Sequence, residues 1–256
     1  MWRNIRILIL LLILLAIALN QYFDRVYSTD WKTPLRVTVY PIDGDGSPVT
    51  RQFIGKLQPD RFQALETFFE REANFRGLSL ERPIQFKSAP QLHALPPALD
   101  RDANVFGILW WSLRMRYWAW QSPDAPGVAP DIKLFVVYHD PARTPTLAHS
   151  VGMQKGLYGV VNVFADQSMT GSNDVIAAHE LLHTLGASDK YDPRNSQPLN
   201  PIGYAEPGKK PLLPQTHAEL MGGRIPLTSN DSAIPESLDQ VVVGPLTAAE
   251  IRWKKQ

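Results

Sequence analysis

The 256-residue chain contains no cysteine. That absence excludes disulfides, iron–sulfur clusters, thiolate zinc sites and cysteine nucleophiles. It also excludes a lipid anchor on a cysteine of the chain itself. Any transition-metal site must use His and carboxylate, and with only six His their spacing is informative. A charge excess is lacking as well: 26 Lys+Arg stand against 25 Asp+Glu. There is no general electrostatic pull toward nucleic acid, and none is expected as a partner. Internal repeats are missing, which argues against solenoids and propellers. What is present is globular. At 44% hydrophobic and 20% charged, the chain has material for one sizeable core. Its 22 Pro and 16 Gly imply many loops.

The N-terminal segment has the pattern of a membrane signal. Arg3 and Arg6 precede an apolar run from Ile7 to Leu19, and Tyr22 and Phe23 follow it. The run is 13 residues, short of the ~20 of a spanning helix. Ile5, a snorkelling Arg6 and interfacial Tyr22-Phe23 extend it toward spanning length. Ala16-Ile17-Ala18 resembles a small-x-small cleavage site. Apolar residues continue up to that point with no polar region before the cut, so an uncleaved signal anchor over residues 1–23 is expected. The positive charges place the N-terminus in the cytoplasm. The expected location is the cell membrane, single-pass, with the remainder extracytoplasmic (periplasmic in a Gram-negative cell). Residues 24–33 read as a polar linker and 34–256 as one domain.

That domain reads as α/β or α+β. Leu35 to Pro41 alternates with β-branched residues and predicts a strand. Asp43-Gly44-Asp45-Gly46-Ser47 is too short for an EF-hand and reads as a turn. Pro59 opens a helix carrying Phe62, Leu65, Phe68 and Phe69, which stops at Gly77. Strands are expected at 83–87, 131–138 and 157–164. A helix follows from Asn173 to Leu185, with Ser172 or Asn173 as cap. Residues 193–235 are proline-rich with little regular structure. Thr247 to Lys254 reads as a closing helix, with Thr247 and Glu250 as a capping box.

The 173–185 helix contains His179-Glu180-Leu181-Leu182-His183. The i,i+4 spacing puts both imidazoles on one helical face, where both can bind one zinc ion. Glu180, beside that face, can reach a water there without being a ligand, as a general base requires. Gly186 suits a sharp turn out of the helix, which lets Asp189 return as a third ligand. Two His and one carboxylate leave a position for water, the arrangement of a catalytic zinc. An amphipathic helix with two surface histidines explains Val175, Ile176, Leu181, Leu182 and Leu185 as core, but not the Glu, Gly and Asp spacing.

The run HELLHTLGASD resembles the extended HExxHxxGxxH/D motif of the metzincin zinc peptidases. With Asp in third place it is similar to the snapalysin-type variant. Asp189-Lys190-Tyr191 is similar to the D-x-Y that follows in that family. Glu219-Leu220-Met221-Gly222-Gly223 resembles the Met-turn, where Met221 lies beneath the zinc. The resemblance implies a metzincin-like zincin: a twisted mixed sheet, an active-site helix and an irregular C-terminal subdomain. It implies a zinc metalloendopeptidase that hydrolyses protein or peptide substrates with a zinc-activated water. His179, His183 and Asp189 are then the metal ligands, and Glu180 is the general base and acid. Tyr191 is a candidate for transition-state or ligand support, or else a packed loop residue; Tyr204 is a weaker candidate of the same kind. Asp192 competes with Asp189 but does not fit the motif spacing. The long connection from Asp189 to Met221 and the insertion 89–130 depart from the snapalysin pattern.

The alternative function is a zinc-stabilised extracytoplasmic binding protein that cleaves nothing. His139, His149 and His217 lack ligand spacing, although His217 is near the Met-turn. The segment 147–153, with Gly152 and Gly156, is a candidate edge strand for binding substrate. Residues 105–120 hold four of the seven Trp. Phe106, Leu109, Trp110, Leu113, Tyr117 and Trp120 fall on one helical stripe. That stripe reads first as the buried face of a helix, and otherwise as an interfacial patch or a cleft wall.

Overall fold

A computed structural model describes residues 2, 4–12, 15, 19, 28–98, 102–123 and 129–253. Residues 4–12 are helical. Much of the expected anchor, including Ala16-Ile17-Ala18 and Tyr22-Phe23, lies outside the described residues. Among the described residues no helix is long and apolar enough to cross a membrane.

The fold is mixed α/β, built on a five-stranded mixed sheet. In chain order the elements are β1 (Leu35–Asp43), α1 (Pro48–Gly55), α2 (Gln63–Phe75), β2 (Ile84–Ser88), α3 (Val105–Gln121), β3 (Ile132–His139), β4 (Val151–Met153), β5 (Tyr158–Phe164) and α4 (Thr170–Thr184). A stretch of two-residue strands and single turns follows, closed by α5 (Pro245–Glu250). The strand order is β2-β1-β3-β5-β4. The first four of these are parallel, and β4 pairs antiparallel with β5 at the edge.

Both faces of the sheet are covered, so the central strands read as nearly continuous apolar runs. Val37 and Val39 of β1, with Leu134, Val136 and Tyr138 of β3, join Leu65, Phe69 and Leu181 from α2 and α4. Tyr40, Ile42, Phe135 and Val137 face the other way, onto Met115 and Ala119 of α3. Phe135 is fully buried and packs on Trp118 with ring centroids 4.5 Å apart. Truncating such a side chain to Ala costs about 3–5 kcal/mol.

Several boundaries differ from the sequence reading, each for a local reason. α1 is an additional helix. Ser47 caps it by accepting from Thr50 N at 3.0 Å, and Pro48 occupies the first turn, where its missing N–H costs nothing. α2 begins at Gln63 rather than Pro59, because 59–62 form a turn. α4 begins at Thr170, not Asn173. Asp166 caps the short turn before it, while Asn173 is buried and brackets Phe164 with both amide atoms. Ser172 donates to the Pro235 carbonyl. The expected capping box at 247–250 does not form. Gly244 caps α5, Thr247 donates to Glu219, and Glu250 bonds Ser188 and Lys190.

α3 reverses the expected burial. Met115 and Ala119 face the sheet, whereas Phe106, Leu109, Trp110, Leu113, Tyr117 and Trp120 are exposed. Met115 and Ala119 are the buried residues of this helix. Its densest apolar stripe therefore points away from the protein.

Candidate metal centre

α4 runs beneath the sheet and carries His179, Glu180 and His183. It ends in a Schellman turn. Gly186 N donates to the His183 carbonyl and Ala187 N to the Leu182 carbonyl, both at 3.0 Å. This turn needs the left-handed conformation, and Gly186 has φ 97°. The chain then doubles back and brings Asp189 over the two imidazoles.

The three side chains converge. His179 Nε2 lies 3.0 Å from His183 Nε2, and Asp189 Oδ1 lies 3.1 Å and 3.2 Å from the two. Among the described residues they form a group able to hold a metal ion. The far side of each ring is fixed by a backbone carbonyl. His179 Nδ1 is 2.9 Å from the Leu220 carbonyl, and His183 Nδ1 is 2.8 Å from the Ala187 carbonyl. A carbonyl only accepts, so each Nδ1 carries the hydrogen. In the neutral rings both Nε2 atoms then present lone pairs to one another and to a carboxylate oxygen. Such a cluster is suited to a cation at its centre. One proton satisfies a single pair of atoms; a divalent ion satisfies all three. A tetrahedral zinc with arms of about 2.0–2.1 Å has edges near ~3.3 Å, close to the separations seen. The donor set therefore fits zinc.

Electrostatics are consistent with a charged centre. Burial pushes the Asp189 carboxyl up, but its contacts with His179 and His183 outweigh this and hold it well below the usual range. Burial lowers the His183 imidazole, and Asp189, the Ala187 carbonyl and Glu180 together raise it above its ordinary value.

Glu180 is buried, and its Oε2 has no hydrogen-bond partner among the described residues. Burial raises its pKa, opposed by His179 and His183 and by the Gly152 N–H that donates to it. Gly152 lies in β4, the antiparallel edge strand, within the 147–153 stretch singled out from sequence. A Cβ there would collide with the Glu180 carbonyl and the His183 side chain. Only glycine lets this edge strand approach α4 so closely.

Tyr191 joins the group. Its hydroxyl donates to Asp189, and its ring centroid is 6.3 Å from that of His179. Burial first, then the charges of Asp189 and Glu180, raise the phenol's pKa. Met221 is fully buried in a turn whose neighbour Leu220 orients His179, and its carbonyl accepts from Lys190 N at 2.8 Å. Asp192 is not brought in, because both its oxygens are engaged by Arg194. The other histidines stay apart. His139 contacts Asn162, His217 contacts Thr216, and the His149 carbonyl accepts from Asn162. Tyr204 pairs through its backbone with Ala218.

Two supports were not identified from sequence. Glu219 is fully buried and accepts from Gly222 N, Gly244 N and Thr247 Oγ1 at 2.8, 3.0 and 2.6 Å. It fixes the Met221 turn. Burial raises its carboxyl pKa, opposed by these donors and by Lys190. Lys190 is also fully buried and bonds Glu250 Oε2 at 2.7 Å and the Ser188 carbonyl at 2.9 Å. It ties the Asp189 loop to α5. A carboxylate three residues before Gly222 is a usable capping signal for the first. Nothing local marks the second.

No protein-family model matches the chain, and no curated protein matches it either.

Proposed function

We propose that the chain is a zinc metalloendopeptidase of metzincin type, held at a membrane by its N-terminal apolar run, with its catalytic domain extracytoplasmic. The observation that carries this reading is the meeting of His179 Nε2, His183 Nε2 and Asp189 Oδ1 within 3.2 Å, with both Nδ1 atoms held by carbonyls. The parallel sheet with an antiparallel edge strand, and the Met221 turn packed against the ligand loop, also support it.

Zinc, when bound, supplies a Lewis acid and an acidified water. His179, His183 and Asp189 would hold it. The chain's own chemistry centres on Glu180. Its unpartnered Oε2 takes the proton of the attacking water and returns it to the leaving amine nitrogen. The raised pKa suits both steps, because a carboxylate nearer neutral gives and takes protons more evenly. Tyr191 holds Asp189 through its hydroxyl. The edge of β4 offers backbone groups that suit an extended peptide.

Glu180 also separates this reading from a zinc-stabilised binding protein. A buried carboxylate oxygen with no partner is costly and has no structural purpose. Digestion of a broad peptide library with the full chain tests the proposal. Cleavage that stops with a chelator and returns with zinc is the expected result. No cleavage at any zinc level would overturn it.

A further inference from the structure

We propose that α3 is a second membrane contact, its exposed face lying in the headgroup region of the bilayer that the N-terminal run enters. The proposal rests in part on the anchor reading above, and its test separates the two.

The exposed stripe is the first observation. Phe106, Trp110 and Trp120 are 81%, 63% and 76% exposed, and Leu109, Leu113 and Tyr117 are exposed beside them. Single exposed apolar side chains are ordinary, whereas a contiguous face of this kind marks a contact site. The opposite side of the helix is already satisfied by Tyr40, Phe135 and Tyr158. The stripe is therefore not needed by the core.

Its chemistry selects lipid. Trp and Tyr are the side chains that settle at headgroup level, apolar in body and polar at the tip. Tyr117 and Trp120 stack with centroids 6.1 Å apart at one end of the stripe. The helix has no carboxylate; Arg114 is exposed, while Arg116 is half-buried beside Tyr158 and Gly156. That sign suits an anionic leaflet.

Its position agrees. Trp31 is pinned to the domain: its Nε1 donates to the Ile251 carbonyl at 2.7 Å, and its ring packs on Trp253. The eleven residues 20–30 therefore link Leu19 to a fixed point. Fully extended they reach at most ~40 Å, about one domain diameter. A domain of this size has a radius of gyration of about 17 Å, so the tether keeps its surface close to the bilayer. α3 ends at the same end of the sheet as the start of β1, four residues after Trp31. Lys133 donates to the Ala119 and Ser122 carbonyls, and Asp131, two residues before it, pairs with Arg36 at 2.8 Å beside the start of β1. The turn joining β4 and β5 lies there too, with Gly156 beside Arg116 and Gln154 beside Gly186.

Because the chain has no cysteine, single-cysteine variants label at one site. Full-length Leu113→Cys, Trp120→Cys, Leu10→Cys and Val49→Cys would each carry an environment-sensitive fluorophore. Each is reconstituted in vesicles of equal phosphatidylcholine and phosphatidylglycerol, with or without brominated acyl chains. Residues 113 and 120 are solvent-facing, so folding is not at stake; Val49, on α1 at the far end of the sheet, is the control. The expected result is about twofold or greater quenching at 113 and 120 and none at 49. Quenching at 10 but not at 113 or 120 overturns the docking and leaves the anchor standing. Quenching at 113 and 120 without quenching at 10 supports docking and removes the anchor. A label at 113 that shifts to the blue without lipid quenching, and self-quenches as protein density rises, indicates a second copy on this face and overturns the proposal.

Discussion

His179 Nε2 and His183 Nε2 lie 3.0 Å apart with no room for two protons between them. The Leu220 and Ala187 carbonyls fix the tautomer from behind, so in the neutral rings the two nitrogens meet as lone pairs. One of these carbonyls belongs to the Met221 turn and the other to the Gly186 turn. The ligand geometry is therefore set by two separate loops, and damage to either should be visible in metal affinity.

Three variants separate ligand from base. Glu180→Gln keeps the size of the side chain but cannot accept the water's proton. It should retain zinc and lose about 10²–10⁴-fold in turnover. Asp189→Ala should lose both metal and activity, because a protein ligand is gone. Asp192→Ala should lose neither, since Asp192 engages Arg194 instead. Bound metal and peptide cleavage are the paired readouts. Metal stripped by Asp192→Ala and kept by Asp189→Ala would reverse the assignment.

Glu219→Ala removes the acceptor for three buried donors. Each buried group left unsatisfied costs about 1–3 kcal/mol. The expected outcome is a large drop in thermal midpoint together with weaker zinc retention, since the Leu220 carbonyl moves. Unchanged zinc affinity in a folded variant would show that the turn does not position His179.

Gly152→Ala drives a Cβ into the Glu180 carbonyl and the His183 side chain. Overpacking of this kind costs about 1–3 kcal/mol. β4 must shift from α4, so activity should fall more than stability does. A calorimetric midpoint and a rate measured on the same preparation check this. Wild-type activity would show that the edge strand has freedom to spare.

Lys190 and Glu250 give a pH dependence. Burial raises the Glu250 pKa, but Lys190 and Ser188 outweigh this and lower it below its ordinary value of 4.5. A carboxyl lowered on folding contributes stability above its unfolded pKa and loses it as pH falls through the folded one. Glu250→Ala should therefore cost about 2 kcal/mol near neutral pH, less than for a fully buried pair because Glu250 is partly exposed. The difference from wild type should shrink as pH falls below ~4. Chemical denaturation at several pH values measures it. A constant difference would exclude the ion pair as its source.

The grouping of His179, His183 and Asp189 was more legible in the sequence than its support. His179, Glu180, His183, Gly186 and Asp189 are fixed by helical period and turn geometry, which are local. The parallel strands were legible because burial on both faces makes continuous apolar runs. α1 was hidden because Ser47-Pro48 reads equally as turn and as cap. The α4 boundary moved because Asn173 spends its side chain on Phe164, a tertiary contact. α3 misled most: its strongest stripe satisfies helical periodicity, yet periodicity does not say whether the stripe meets the sheet or faces outward. Lys190 and Glu250, 60 positions apart, carry no local signal at all.

Metal content of the purified full-length chain tests the central claim most directly. After supplementation with zinc and removal of excess, elemental analysis should find about one zinc per chain in wild type and close to none in the His179→Ala, His183→Ala double variant. Wild type holding less than about a tenth of an equivalent, or equal zinc in the double variant, would contradict the account.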